Sequence, residues 1–326
     1  MQKAPEQIGP YRIRNKIGES PLYIEYLASD SQHEQDVVLR VPGEAFPRTP
    51  ARLTRFVTAG QRAARLQHEH IVPVIDAGQA DGEYYIATAY VAGQRLTDLL
   101  ASSGKAVGVE RVAPLIDGIA AALDYAHSQG IDHEGLTTDN VILTQDGRVL
   151  VTDFCLAEGL DSSELVHSED DPAFASYFLA PEQVRTDVDS DYRAGIYSLG
   201  VVAYAMLTRN LPFEALTQGE LLHKIVNDIP RSPDLLNPQL PAGVAYVLRN
   251  VLAKEPEVRY SSAGDFHDAL LAGMAWTAPA GAGAGGVEIP PQRSRRGLVS
   301  ALLALLVLAL IAGGAYFCLL YTSPSP

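Results

Sequence analysis

The chain has 326 residues, 47% hydrophobic and 20% charged, which is ordinary globular usage and enough for one large or two modest domains with short additions. Acidic residues outnumber basic ones 39 to 25, and a formal net charge of -14 speaks against nucleic-acid binding, which needs a clustered Lys/Arg surface to neutralise phosphates. The two cysteines, Cys155 and Cys318, fall on opposite sides of a compositional boundary, so no structural disulfide is expected and the globular part suits a reducing compartment.

In chain order, the opening "MQKAPEQIGPYRIRNKIG" lacks the apolar core of a signal peptide. Short runs rich in Val, Ile and Tyr follow, "YRIRNKIG", "YIEYLAS", "DVVLRVP", "VPVIDAGQA" and "EYYIATAYV", interrupted by the helical segment "ARLTRFVTAGQRAARLQ". From Leu96 onward helical patterns dominate, including "APLIDGIAAALDYAHSQGI", "GIYSLGVVAYAMLT", "QGELLHKIVN", "GVAYVLRNVLA" and "AGDFHDALLAG". The expected globular domain spans 8–272, with a β-rich small lobe over 8–92 and an α-rich large lobe over 93–272, an α+β architecture. Residues 273–297, rich in Ala, Gly and Pro, read as a flexible linker with a basic end.

The segment 298–317 has no charge over roughly twenty residues, the length of a transmembrane helix. Arg293, Arg295 and Arg296 just before it place the N-terminal domain on the cytoplasmic side of a cell membrane, single-pass. The tail 318–326, "CLLYTSPSP", looks like the translation of a sequencing adapter and is expected to be a sequence artefact.

Four motifs stand in a fixed order: "HEGLTTDN" between a helix and a strand-turn-strand, "TDF" ending at Phe154, "APE" at Ala180 to Glu182, and "KEPEVRYSSAGDF" near the end of the domain. Together they resemble the protein kinase superfamily, in particular the bacterial membrane-anchored Ser/Thr kinases, over about four-fifths of the chain. The resemblance implies a two-lobed kinase fold in which Glu182 pairs with Arg259, and in which His133 and Phe154 belong to an apolar stack joining the lobes.

At the chemical positions the sequence departs from the family. The Gly-rich loop aligns its glycines with Gly18, Ser20 and Tyr23, so one of three is kept, and Glu25 stands where the family has a Val over the adenine. A carboxylate there disfavours an apolar base unless it turns outward. Arg40 replaces the phosphate-binding Lys of V-A-I-K, and Ala59 stands where its Glu partner belongs, so that ion pair cannot form.

In the catalytic loop the base position is Gly135, the phosphate-binding Arg is Glu134 and the following Lys is Thr137. Gly195 replaces an Asp that holds this loop by its backbone in the family, and Cys155 replaces the Gly after Phe154. Asn140 and Asp153 keep the residue types of the family's Mg²⁺ ligands, although each could equally brace its own loop. Gly18, Arg40 and the main chain at Ala89 and Val91 are the candidate nucleotide contacts. Ser162, Ser163, Ser168 and Ser176, in an acidic loop, are expected to be exposed and open to modification.

The sequence therefore predicts a membrane-tethered, kinase-like domain without a catalytic residue, a pseudokinase that signals by binding a protein partner, such as an active kinase or its substrate, with Mg-ATP bound weakly or not at all. The alternative is a divergent but active Ser/Thr kinase, and a decaying gene is a third reading.

Overall fold

The computed structural model describes residues 5–20, 22–154, 174–185 and 189–276. Cys155, Cys318, Ser162, Ser163, Ser168, the segment 298–317 and the tail lie outside the described residues, as does most of the expected linker. Within those residues no helix is long and apolar enough to cross a membrane.

The alternating runs of the first ninety residues form β1 (Gln7–Ile8), β2 (Tyr11–Glu19), β3 (Tyr23–Asp30), β4 (Gln35–Pro42), β5 (Val74–Ala80) and β6 (Glu83–Ala89). They make one antiparallel sheet in the order β1-β2-β3-β4-β6-β5. Helix α1 (Pro50–Ala63) crosses its face. It starts where the Thr49 hydroxyl accepts the Arg52 N–H at 3.3 Å and Pro50 fills the first turn, and it buries Leu53, Phe56, Ala59, Gly60 and Ala63. A Cβ added at Gly60 would sit 2.6 Å from the Ala77 Cβ, so only glycine lets the helix rest directly on β5.

The register of this sheet decides the site. Gly18 pairs with Glu25 across β2 and β3, and Glu25 pairs with Arg40 across β3 and β4. Residues directly opposite in neighbouring strands share a face, so the three stand in one row on one side of the sheet.

The large lobe begins with β7 (Gly93–Arg95), α2 (Leu96–Ser102) and α3 (Val109–Ser128), and continues through β8 (Val141–Thr144) and β9 (Val149–Val151), which join β7 in a second antiparallel sheet. Helices α4 (Pro181–Val184), α5 (Arg193–Thr208), α6 (Gln218–Asn227), α7 (Pro233–Leu236), α8 (Ala242–Val251) and α9 (Ala263–Ala275) complete it. Helix α5 is buried on all sides from Ala194 to Thr208, as an all-round apolar helix must be.

Helix α9 is pinned by its start. The two carboxylate oxygens of Asp124, on α3, accept the Ala263 and Gly264 N–H groups at 2.9 and 3.0 Å, which satisfies free donors at the positive end of the helix. It continues to Ala275, three residues into the segment expected to be linker, because "DALLAGMA" extends the helical pattern past Gly273. Ser176 corrects a second expectation: it is fully buried in a 3-10 turn, Phe174–Phe178, whose other buried residue is Phe178.

Candidate functional site: the cleft between the lobes

A cavity of about 350 Å³ lies between the row Gly18, Glu25, Arg40 on the small lobe and β7, β8 and the Thr152–Phe154 segment on the large lobe. Its polar end is filled by side chains of the protein. Nη1 and Nη2 of Arg40 donate to Oδ1 and Oδ2 of Asp153, the second at 3.0 Å, and Nη2 also donates to Oε1 of Glu25. The other oxygen of Glu25 accepts Nη2 of Arg95 at 2.7 Å. Two ion pairs, Arg40 with Asp153 and Glu25 with Arg95, therefore tie the small lobe to the large one.

Glu25 turns inward, 7% exposed, because two guanidinium groups compensate its charge there. Burial pushes its carboxyl up, but Arg40 and Arg95 outweigh burial and hold it below the usual carboxylate range. The same balance operates at Asp153, where burial raises the carboxyl and Arg40, with the Asn140 amide, brings it below its ordinary value. Burial acts to lower the Arg40 guanidinium, and Asp153 and Glu25 overcome it and raise it. Glu25, Asp153 and Arg40 are thus ionised at neutral pH.

Asn140 and Asp153 are brought together, with the Asn140 Nδ2 donating to Asp153 Oδ2 at 2.8 Å. The orientation of that amide is set by its other contacts. Both the backbone N–H and the hydroxyl of Thr137 donate to Asn140 Oδ1, each at 2.8 Å, in a capping box that closes the 3-10 turn Thr138–Asn140. Asn140 therefore offers the cleft its amino group, which cannot ligate a cation, while Asp153 has both oxygens engaged. Mg²⁺ does not fit this donor set as it stands. Among the described residues no group of three or more His, Cys, Asp or Glu side chains could hold a metal ion.

In the neighbouring loop Gly135 stands where the family has its base. Gly135 has no side chain, and the loop is held by the Gln183 amide, which donates to the Glu134 carbonyl at 2.7 Å. A Cβ added at Gly195 would sit 3.4 Å from the His133 carbonyl oxygen, so this helix reaches the loop with backbone alone. His133 donates from Nε2 to the Thr152 carbonyl at 2.9 Å, and its ring centroid is 4.7 Å from that of Phe154. Burial lowers the imidazole below its usual value, so His133 is neutral. Asp153 itself adopts φ +72°, a left-handed conformation that costs a non-glycine residue energy and that the bidentate Arg40 contact can hold in place.

Ala59 is buried on α1, a helix with no acidic residue, so the carboxylate opposite Arg40 comes from β3. At the far end of the cavity, the Ala89 and Tyr90 N–H groups donate to Pro73 and Asp36 carbonyls at 2.9 and 3.1 Å, whereas the N–H and C=O of Val91 have no partner among the described residues. Away from the cleft, Arg259 grips Glu182 with Nη1 and Nη2 at 2.6 and 2.7 Å, both side chains essentially unexposed, and its Nε donates to the Ala253 carbonyl at 2.8 Å.

Sequence reasoning missed two features of this network. Arg95 carries no motif, and only the fold brings it to Glu25. The pairing of Glu25 with Arg40 was latent in the strand pattern, since "YIEYLASD" and "QDVVLRVP" form a hairpin whose register sets the two opposite each other.

A family profile described as a protein kinase domain matches residues 51–271. The serine/threonine-protein kinase PknE of Mycobacterium tuberculosis is 31% identical over 269 residues, covering 82% of this chain and 47% of the relative. A probable serine/threonine-protein kinase of Clostridium acetobutylicum is 30% identical, covering 80% and 39%. The chain thus spans less than half the length of these curated relatives. The crystal structure of the Mycobacterium tuberculosis PknI kinase domain superposes with a TM-score of 0.66 at 28% identity, covering 82% of this chain and 97% of that one.

Proposed function

The chain belongs to the protein kinase family, and we propose that within it the domain is a pseudokinase whose cleft is closed to Mg-nucleotide by its own side chains. The observation that carries this reading is the Arg40 guanidinium bound to both oxygens of Asp153 and to Glu25, beside a base position occupied by Gly135. A metal-nucleotide would have to break the buried, bidentate contact of Arg40 with Asp153 before its own charges could take either partner. The missing base removes a further ~10²–10⁴ in rate even for bound nucleotide.

The contrast between a buried Glu182–Arg259 pair and an absent base supports a fold kept for binding. We assign the domain a signalling role through a protein partner, an active kinase or its substrate, from the cytoplasmic face of a membrane to which the apolar segment 298–317 tethers it. The competing reading, a divergent active Ser/Thr kinase, draws on Asn140 and Asp153 lying side by side and on the open main chain of Val91. Incubating the whole chain with Mg-ATP and a generic protein substrate separates the two. The pseudokinase reading expects no transfer of the γ-phosphoryl group above that of an Asp153→Ala variant, and transfer that this variant abolishes establishes the kinase.

A further inference from the structure

We infer that the outer side of helix α1 is a membrane-docking surface, an arginine face that lies against the anionic lipid headgroups of the bilayer to which the chain is tethered. This rests on the reading of 298–317 as a membrane segment, and it adds which side of the domain meets the membrane.

Charge is unevenly spread along this chain. Acidic residues outnumber basic ones 39 to 25, yet between Glu44 and Glu69 stand five arginines and no acidic residue. Arg48 leads into α1, Arg52, Arg55 and Arg62 lie on it, and Arg65 follows in the next turn, its N–H donating to the Arg62 carbonyl at 3.1 Å. Arg55 and Arg62 are seven residues apart, close to two turns, and Arg52 precedes Arg55 by three, so these side chains share one side of the helix. The other side, with Leu53, Phe56, Gly60 and Ala63, is buried.

Arg55 and Arg65 are exposed, and neither guanidinium has a hydrogen bond or ion pair among the described residues. Arg48 is half exposed, with one carboxylate, that of Glu83, at 3.8 Å, and Arg62 is steadied by the Gly130 carbonyl at 3.0 Å. A cluster of about four to eight basic residues on an amphipathic helix is the size that binds anionic headgroups. The planar guanidinium suits a phosphate through two parallel N–H donors.

The tether favours lipid over an acidic protein as the occupant. Residues 277–297, between the domain and the apolar segment, reach at most about 70 Å when extended, while a compact domain of this size is roughly 50 Å across. Any side of the domain can therefore reach the bilayer, and the headgroups stay at a high local concentration that a diffusing protein lacks. Charge then selects the side. Outside the five arginines the chain has 20 basic residues against 39 acidic ones, so an anionic surface repels the remainder and attracts the α1 face.

The test places the whole chain in vesicles of phosphatidylcholine alone and of phosphatidylcholine mixed with phosphatidylglycerol. Arginines are modified with a water-soluble glyoxal reagent and each site is read by mass spectrometry relative to Arg148, which is exposed in the turn between β8 and β9. Arg55 and Arg65 are expected to react more slowly on the anionic vesicles than on the neutral ones, and molar salt is expected to abolish the difference by screening. Arg55→Gln combined with Arg65→Gln, both at exposed positions, should weaken docking, read as the protection left at Arg48, by about 25-fold, roughly fivefold per arginine. Equal reactivity of Arg55 and Arg65 on the two vesicles overturns the inference, while flotation of the chain with vesicles in molar salt leaves the tether standing. Protection that is the same on neutral lipid and grows with protein concentration assigns the face to a protein surface and overturns it as well. A chain that molar salt strips from anionic vesicles contradicts the tether, whereas protection of Arg55 and Arg65 before the salt is added still upholds the docking face.

Discussion

At the scale of single residues, the cleft shows how two substitutions that look damaging in isolation compensate each other. Glu25 alone puts a carboxylate against an apolar base, and Arg40 alone puts a wide guanidinium where a compact ammonium belongs; facing each other across β3 and β4, each satisfies the other. The linkage to pH follows from the direction of the shifts. Asp153 and Glu25 titrate lower in the folded protein than their unfolded values of about 3.9 and 4.3, so their contribution is complete above about pH 5 and is lost as pH falls through the folded values. Denaturant unfolding should accordingly show wild type more stable than Asp153→Asn at pH 7, with the gap closing as pH is lowered toward 3; a gap independent of pH would show that the Asp153 charge is not what holds the lobes. Glu182→Ala is expected to lose about 3–5 kcal/mol in the same measurement, because Arg259 would be left buried without its carboxylate. Every one of these residues except Arg95 was singled out by sequence. What the sequence did not reveal was which way Glu25 points, since that depends on a cation from β7 that only the three-dimensional fold delivers.

At the scale of elements, helices and strands were legible where the pattern was long. The strand "YIEYLASD" and the helix "QGELLHKIVN" stand where the alternation and the 3.6-residue period put them. Strand β7 and helices α2, α4 and α7 went unread, because three to seven residues are too few to establish a period, and β7 is exposed on all three residues. Close helix packing was equally invisible, although it fixes the end of the domain. A Cβ at Gly243 on α8 would lie 2.5 Å from the Gly273 carbonyl oxygen on α9, and backbone atoms cannot move aside as a side chain can. Gly243→Ala should lower stability by about 1–3 kcal/mol in thermal or denaturant melts, while Gly219→Ala on α6, where an added Cβ meets nothing within 4 Å, should leave stability unchanged or slightly improved.

At the scale of the whole molecule, two lobes and membership of the kinase family follow from ordered motifs that need no structure to recognise. The missing side chain at Gly135 was also readable, but the internal ionic bridge between the lobes was not, since the bridge joins positions up to 113 residues apart. Restoring the base alone should therefore fail: Gly135→Asp is expected to give no phosphoryl transfer above background, because the variant still binds Arg40 to Asp153 and turns the Asn140 oxygen toward Thr137. The most direct measurement of the central claim is the unfolding midpoint of the whole chain with and without millimolar Mg-ATP. A closed cleft predicts no shift, whereas a site with a dissociation constant one-hundredth of the ligand concentration would add about 2.7 kcal/mol and raise the midpoint by several degrees. A Mg²⁺-dependent rise of that size, abolished by Asp153→Ala, would contradict the account and show that a metal-nucleotide displaces Arg40 from Asp153.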